Sequence, residues 1–490
     1  MKADVGDYNQ ALTFFNQVLI EARNQEDLSI WEIDAFNEIG KIYFLQGKYD
    51  KVIATTVLCL SKSRTLKYKD GTAFALNIRG NAHIMLGDYE NALKAYHESL
   101  EIYQSLKKDS KVAGLLNNIA NVYSGQGDLE KALSLYNDAL VTVQKLGEKK
   151  RIADVLNNIA SIYSHWGNYD KALSLHQEQL RLDEEIDYKY GTSIALSNIA
   201  SILLIKGEYD QAEIFLRRSL KIDQDMGDQS GEAENLLQLG QIYSSKGENE
   251  KALKFLQKAK IKLEQMNVKN INLVEVIAEL VGVNTDLKKF SKAKQLLEEI
   301  HKLVETIDST LIRALYFFYE GYFEQGRTNL SSSKTAFLTA LKEAKQTNQT
   351  KYIIRSLIHL AALTLASYRI NPEKSYLGEI RKYITEAEKL ASEKKLYNVI
   401  CEARLLHALI HTTNFEFNKA TKILKQILLI AESKNLRQEK KRIQQAIDRI
   451  DEQKEKLKSV NEAESQTERI YEIHTYIREC QEFLKTLKVS

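Results

Sequence analysis

Asparagine recurs in this sequence at a spacing that could place hydrogen-bonding groups in a row on successive helices. The first row, with one residue every forty positions, consists of Asn37, Asn77, Asn117, Asn157, Ser197 and Leu237. The second row, four residues further on, consists of Lys41, Asn81, Asn121, Ser161, Ser201 and Gln241. A step of four residues puts both rows on one face of a helix. Because a carboxamide donates and accepts hydrogen bonds at once, the two rows could bind an extended peptide backbone.

Two interpretations of these rows stay open. Asparagine is a mediocre helix former, so its repeated occurrence inside helices favours a binding role. Alternatively, the amides bond one another or adjacent helices, or they only keep the groove hydrated, and duplication of a repeat would also copy them. A neighbouring third row is predicted to bond between adjacent repeats, and it consists of Glu38, Ile78, Asn118, Asn158, Asn198 and Gln238. One turn further along the helix, Phe44 and Ile84 form either an apolar pocket for an anchoring side chain or part of the core.

Catalytic and metal-binding patterns are missing from the sequence. It holds no G-x-x-x-x-G-K-[ST], G-x-G-x-x-G, G-x-S-x-G or H-E-x-x-H. His407 and His411 are four residues apart, but no acidic residue accompanies them as in zinc proteases. The three cysteines are widely separated and form no C-x-x-C pair, which argues against disulfides and zinc. We therefore predict a non-enzyme without metal or cofactor, in the reducing cytoplasm.

Glycine marks the turns between the helices that must position the rows. The turn glycines are forty residues apart, at Gly47, Gly87, Gly127, Gly167, Gly207 and Gly247. Gly6 and Lys288 extend this series by steps of forty-one residues. A small residue lies seven positions before each turn, at Gly40, Gly80, Ala120, Ala160, Ala200 and Gly240. Apolar residues at three- and four-residue steps on both sides of the turns predict amphipathic helix pairs that bury their apolar faces by stacking.

The repeated motif L-x-x-I-A-x-x-Y, followed by G-[DNEK]-Y-[DE]-x-A, resembles the tetratricopeptide repeat over residues 1–300. Its forty-residue period is similar to the variant found in kinesin light chains and cell-polarity adaptors. The resemblance implies an all-α, right-handed α-solenoid in which the first helix of each hairpin lines a concave groove. It also implies a peptide-binding site in that groove, formed by Asn37, Lys41, Asn77, Asn81, Asn117, Asn121, Asn157, Ser161, Ser197, Ser201, Phe44 and Ile84.

The sequence predicts three divisions of the chain. Residues 1–305 form the regular array, residues 306–435 continue it with divergent helical repeats, and residues 436–490 form a charged helical tail. The first copy is incomplete, because residues 1–22 supply a turn at Gly6 and a second helix only. The tail is predicted to cap the solenoid, to self-associate or to dock on a partner helix. Its apolar seam consists of Ile470, Ile473, Ile477, Cys480, Leu484 and Leu487.

Charge and hydropathy narrow the classes of partner. A formal charge of +3 over 490 residues gives no reason to expect nucleic acid. No apolar run reaches the roughly 18–20 residues that a membrane-spanning helix needs, so we expect no membrane partner. The predicted function is a non-catalytic scaffold or adaptor that binds an extended peptide or a helix in the groove. Two alternatives are a regulatory module that passes a peptide signal through the tail, and an architectural homodimer.

Overall fold

The computed structural model describes residues 5–23, 29–266, 271–307, 309–371, 373–434 and 436–462. The chain divides into two compact units. Unit 1 comprises residues 1–166 and 170–191, and unit 2 comprises residues 167–169 and 192–490. The three divisions predicted from the sequence rest on similarity between repeats and not on packing, and they remain a prediction.

All regular structure among the described residues is α-helical, in 22 helices. In the N-terminal part these are α1 Val5–Arg23, α2 Ser29–Leu45, α3 Tyr49–Thr65, α4 Lys69–Met85, α5 Tyr89–Ser105, α6 Asp109–Gly125, α7 Leu129–Leu146, α8 Lys149–His165 and α9 Tyr169–Glu185. They continue with α10 Lys189–Ile205, α11 Tyr209–Met226, α12 Gln229–Ser245, α13 Asn249–Gln265, α14 Ile271–Asp286, α15 Phe290–Thr306, α16 Thr310–Gly326 and α17 Leu330–Gln346. The last are α18 Thr350–Ile370, α19 Lys374–Glu393, α20 Tyr397–Thr413, α21 Phe417–Ser433 and α22 Arg437–Glu462.

Tandem hairpins confirm the predicted all-α solenoid. From α2 onward each even-numbered helix starts a hairpin, called helix A below, and the next odd-numbered helix, helix B, completes it. The divergent repeats follow the same rule in α16 to α21. The first copy differs from the prediction, because Gly6 lies inside α1 and forms no turn. A sequence pattern cannot separate a turn glycine from a helical one when no preceding helix fixes the period.

The turns repeat one backbone geometry. At Gly47, φ is +70°, and the amides of Gly47 and Lys48 bond back to the carbonyls of Phe44 and Tyr43, each over 2.9 Å. Glycine adopts this left-handed conformation without a steric penalty from Cβ, and it thereby satisfies the last carbonyls of the helix. The same conformation recurs at eight described residues that are not glycine, of which the forty-residue glycine series predicted only Lys288. These residues are Lys67, Lys107, Asp187, Lys288, Thr328, Asn348, Lys395 and Phe415.

The core of each unit runs along the stacked hairpins. In unit 1 the small residues let helices approach, and a Cβ added to Gly80 would lie 2.5 Å from the ring of Tyr96. In unit 2 the largest apolar cluster includes Phe318, Phe337 and, packed against them, His359. Burial lowers the pKa of His359 to about 3, so this imidazole is neutral and stacks on Phe337 with ring centroids 4.9 Å apart.

Helix α18 corrects one expectation from the sequence. Thr350–Ile370 has the length and the mean hydropathy, 1.3, of a membrane-spanning helix. However, 67% of this apolar window is buried inside the protein, where α17 and α19 pack against it. A core helix of a stacked array is apolar on most sides for the same physical reason as a membrane helix, because neighbours surround it.

Candidate peptide-binding surface

The helices A of unit 1 expose one face each, and the predicted rows lie on or beside it. On α6, Asn121 is exposed, whereas Asn117 and Asn118 are half-buried. On α4, Asn77 and Asn81 are half-buried as well. The two asparagine rows of α4 and α6 are therefore reachable from solvent, as a binding role requires.

The first row accepts hydrogen bonds from the following hairpin. Asn118 Nδ2 donates to Asn77 Oδ1 over 3.1 Å, and Asn158 Nδ2 donates to Asn117 Oδ1 over 2.9 Å. In unit 2 the pattern continues, where Gln238 Nε2 donates to Ser197 Oγ over 3.1 Å. The prediction that the third row bonds between adjacent repeats is confirmed at these positions.

The second row is fixed by tyrosines of helix B. The hydroxyl of Tyr96 donates to Asn81 Oδ1 over 2.6 Å, and the hydroxyl of Tyr136 donates to Asn121 Oδ1. Burial raises the pKa of Tyr136 to about 12, so its phenol keeps the proton that it donates. Both amide planes are thus oriented by a buried partner.

The NH₂ groups of four asparagines on α4 and α6 are oriented hydrogen-bond donors. Within the described residues, the Nδ2 groups of Asn77, Asn81, Asn117 and Asn121 donate to no protein acceptor, whereas their oxygens are all bonded. An NH₂ group with a fixed orientation and a solvent-facing side suits a carbonyl oxygen of an incoming chain. These four amides are the part of the predicted site that the structure brings together.

Asn37 lies in a different environment from its counterparts. It is only 3% exposed, its Nδ2 donates to the carbonyl of Gly71 over 3.2 Å, and its Oδ1 accepts from the Cys59 thiol over 3.3 Å. Burial raises the pKa of Cys59 to about 12, which keeps this thiol protonated. Asn37 therefore holds α2 to its neighbours and presents no group to a ligand, contrary to its predicted place in the groove.

The other polar members of the predicted site are engaged locally. Lys41 pairs with Glu38 over 3.4 Å, and Ser161 Oγ donates to the carbonyl of Asn157 over 2.9 Å. Asn157 Nδ2 contacts the Oδ1 of its neighbour Asn158 at 3.4 Å. In unit 2, Ser201 is half-buried, and Ser197, 8% exposed, accepts the bond from Gln238 described above.

The predicted apolar pocket is mostly core. Phe44 is half-buried, packs against the cluster of Val52, Ile78 and Ala82, and lies 5.7 Å from the Tyr49 ring. Ile84 packs in the same way against the cluster around Tyr96. The exposed apolar side chains are the next residues on each helix, Leu45 and Met85. Sequence inspection missed them because only packing shows which of two adjacent apolar residues faces solvent.

The two histidines of α20, His407 and His411, lie against each other and beside a carboxylate. The rings of His407 and His411 stack with centroids 5.3 Å apart, and His411 Nδ1 contacts a carboxylate oxygen of Glu416 at 2.5 Å. Among the described residues no three ligand-type side chains converge on a metal-sized space. The apolar seam from Ile470 to Leu487 lies outside the described residues.

Comparison with known proteins identifies the repeat. The family model described as tetratricopeptide repeat matches four overlapping windows, residues 71–145, 111–185, 151–225 and 191–260. No curated protein matches the sequence.

Several solved structures are similar in fold. The apo form of RapI is 15% identical, with 74% of this chain and 98% of that chain covered and a TM-score of 0.53. A Rap protein complexed with competence and sporulation factor is 14% identical, with coverages of 75% and 99% and a TM-score of 0.54. The Rap conjugation gene regulator of plasmid pLS20, in complex with the Phr* peptide, is 14% identical, with coverages of 73% and 96% and a TM-score of 0.50. At these identities the likeness concerns the fold alone.

Proposed function

We propose that this chain, of which residues 71–260 match the tetratricopeptide repeat model, is a non-catalytic protein-interaction scaffold that binds an extended peptide across α4 and α6. The observation that carries the proposal is the set of four oriented amides of Asn77, Asn81, Asn117 and Asn121. Each could donate one hydrogen bond to a peptide carbonyl without losing its existing bond. Donors that are already oriented cost little entropy to use, which favours binding of a flexible segment.

The backbone of the peptide, rather than its side chains, is the group recognised by these amides. An extended chain presents carbonyl oxygens on both sides at a rise of about 3.3 Å per residue. Leu45 and Met85, exposed by 56% and 51%, lie at the ends of α2 and α4 and offer apolar contacts to a side chain of the same peptide. Two of the similar structures are complexes, one with competence and sporulation factor and the other with the Phr* peptide. A fold of this kind thus admits such a ligand.

A reducing compartment such as the cytoplasm suits this proposal. Cys59 and Cys401 are both buried and unpaired. Burial raises the pKa of each thiol to about 12, which makes both unreactive.

The test uses a change that removes the donor and keeps the acceptor. Substituting Asn77, Asn81, Asn117 and Asn121 by Asp preserves an oxygen for Tyr96, Tyr136 and the neighbouring amides. It replaces each free NH₂ by an acceptor that repels a peptide carbonyl. Peptides selected on the wild-type protein from a displayed random 12-residue library are expected to bind the fourfold variant at least 100-fold more weakly.

A matched variant controls for the four added charges. It carries Gln104→Glu, Gln126→Glu, Asn137→Asp and Gln144→Glu, all at exposed positions outside the helix A faces of unit 1. It is expected to bind the selected peptides as tightly as wild type does. Equal binding by the fourfold Asp variant, with an unchanged circular dichroism spectrum, would show that the amides are structural only.

A further inference from the structure

One set of contacts in unit 2 joins residues that are far apart in the chain. Asn398 Nδ2, in α20, donates to the carbonyl of Ile205 over 3.2 Å. Arg437, at the start of α22, pairs with Asp210 over 3.0 Å. These partners are 193 and 227 positions apart, whereas a solenoid repeat ordinarily contacts only its neighbours. We call this set, with the turn at Gly207 between its two members, the closure junction.

The closure junction depends on a close approach of the backbone at a turn. Gly207 has φ of +81°, and a Cβ added there would lie 3.0 Å from Cβ of Asn398. The corresponding turn of the preceding hairpin is similar, since Gly167 lies under Lys394 and an added Cβ would meet the side chain of that lysine. These two turn glycines therefore serve two purposes, the left-handed backbone and the contact with the C-terminal helices.

The interior of the closure junction is polar. Beside it lies a cavity of about 50 Å³ whose polar lining includes Tyr209, Asn398, Glu402, Glu439 and Arg442. Within the described part of the chain, Asn398 Oδ1 and Glu439 Oε2 are buried without a hydrogen-bond partner. A polar cavity of this volume accommodates water, and water can satisfy both oxygens. The closure junction therefore combines a polar space large enough for water with the edge of the apolar core, against which Ile205 packs.

We propose that the closure junction is a reversible latch that couples α22 to the first hairpin of unit 2. Its ion pair is exposed on both sides, with Arg437 74% and Asp210 53% accessible, so solvent and salt weaken it. The hairpins between the two ends are joined neighbour to neighbour and can change curvature by small shifts at each interface. In the closed form Asp210 holds α22 against the first hairpin of unit 2. In the open form α22 leaves that hairpin together with α21, against which Ile443, Ile447 and Ile450 of α22 are buried.

The latch links two sites by thermodynamic reciprocity. A partner that binds the side of α22 uncovered in the open form shifts the population toward that form. A second ligand that favours the open curvature of unit 2 raises the affinity for this partner, and the partner raises the affinity for the second ligand by the same factor. This coupling does not rest on peptide binding in unit 1. It offers a route by which an array of repeats could signal through its C-terminal helix.

The latch is testable by a distance measurement on the full chain without any ligand. Nitroxide labels would be attached at Ile214→Cys and Leu429→Cys, two side chains that are 69% and 67% exposed on α11 and α21. The background carries Cys480→Ser, and the buried Cys59 and Cys401 stay in place. We expect Arg437→Glu to create a second, longer distance in pulsed electron spin resonance. Arg437→Lys keeps a positive charge opposite Asp210 and should keep the single distance of wild type, and Asp210 itself is left in place because it also pairs with Lys246 over 2.9 Å.

Two further variants separate loss of the closure junction from a general effect of broken contacts in unit 2. Lys260→Glu breaks a pair of 2.8 Å with Glu299, which joins neighbouring hairpins of the same unit, and it should leave the distance distribution unchanged. Asn398→Ala removes the hydrogen bond to Ile205 without adding charge and should lengthen the distance as Arg437→Glu does. An unchanged distribution in both Arg437→Glu and Asn398→Ala would overturn the proposal, as would equal lengthening in Lys260→Glu.

Discussion

Asn158 donates its side-chain amide to the side-chain carbonyl of Asn117, 2.9 Å away in the preceding hairpin. The same direction holds between Asn118 and Asn77. In each pair the NH₂ group of the donating asparagine joins two hairpins, whereas the NH₂ group of the accepting asparagine bonds to no acceptor among the described residues. The binding and the structural interpretations of the asparagine rows consequently apply to different atoms of the same side chains.

The first prediction concerns the direction of this bond. Asn158→Asp replaces the donor by a carboxylate facing Asn117 Oδ1, and it should lower the free energy of unfolding by about 1–2 kcal/mol. Asn117→Asp keeps the accepting oxygen and should cost less than half as much. Urea unfolding followed by circular dichroism measures both, and equal losses in the two variants would show that the bond does not run from Asn158 to Asn117.

The second prediction concerns pH and the buried carboxyl of Asp183. This side chain is 1% exposed, and one of its oxygens accepts from Gln179 Nε2 over 3.3 Å while the other has no partner among the described residues. Burial raises its pKa from 3.8 to about 6, and Asp154 adds to the shift while Gln179 and Lys150 oppose it. The folded state thus holds the proton more tightly than the unfolded state.

Because the folded state binds this proton more tightly, Asp183 should lower the free energy of unfolding as the pH rises. The stabilising contribution is complete below pH 3.8 and is lost as the pH rises through 6. Asp183→Asn, which cannot ionise, should raise the free energy of unfolding by about 1–3 kcal/mol at pH 7.5 and change it little at pH 4. Asp138→Asn, at an exposed position of α7, serves as the control and should have no effect at either pH. The same gain for Asp183→Asn at pH 4 and 7.5 would contradict a pH-linked role.

The third prediction compares two glycines that occupy the same position in neighbouring repeats. A Cβ on Gly40 would meet only Ile78 and Thr56 at 3.9 Å, an ordinary contact distance, whereas Gly80 has the buried Tyr96 ring at 2.5 Å. Gly40→Ala should therefore stabilise the protein by about 0.5–1 kcal/mol through reduced chain entropy in the unfolded state. Gly80→Ala should destabilise it by about 1–3 kcal/mol through overpacking. Thermal or urea unfolding gives both values, and shifts of the same sign would refute the argument.

The fourth prediction concerns the turn at Lys288, which has φ of +57° without being glycine. Lys288→Gly relieves the steric penalty of a left-handed L-residue and should stabilise unit 2 by about 0.5–1 kcal/mol after the entropy cost of glycine is subtracted. The reciprocal change, Gly247→Ala, meets no atom within 4 Å and should cost about 1–2 kcal/mol for the backbone alone. A destabilising Lys288→Gly would mean that the lysine side chain, and not its backbone, sets the energy of this turn.

The amino-acid sequence alone determined the helical hairpins, their forty-residue period and the glycine turns from Gly47 to Gly247. Helix periodicity, turn glycines and small packing residues are local properties of the sequence. Because every repeat shows the same pattern, a copy that is ambiguous by itself can be interpreted from the others. The sequence also identified the third row, including Asn118 and Asn158, as the one that bonds between repeats.

Only the tertiary structure decided which atoms of those asparagines are free. Asn37 and Asn77 occupy the same position of the repeat, but Asn37 is enclosed by Gly71 and Cys59 whereas Asn77 keeps an open NH₂ group. The burial of a side chain depends on neighbours from several helices, so the residue pattern of a single helix cannot predict it. The same holds for the raised pKa of Asp183 and for the contact between Asp210 and Arg437, whose 227-residue separation lies beyond any periodicity of the chain.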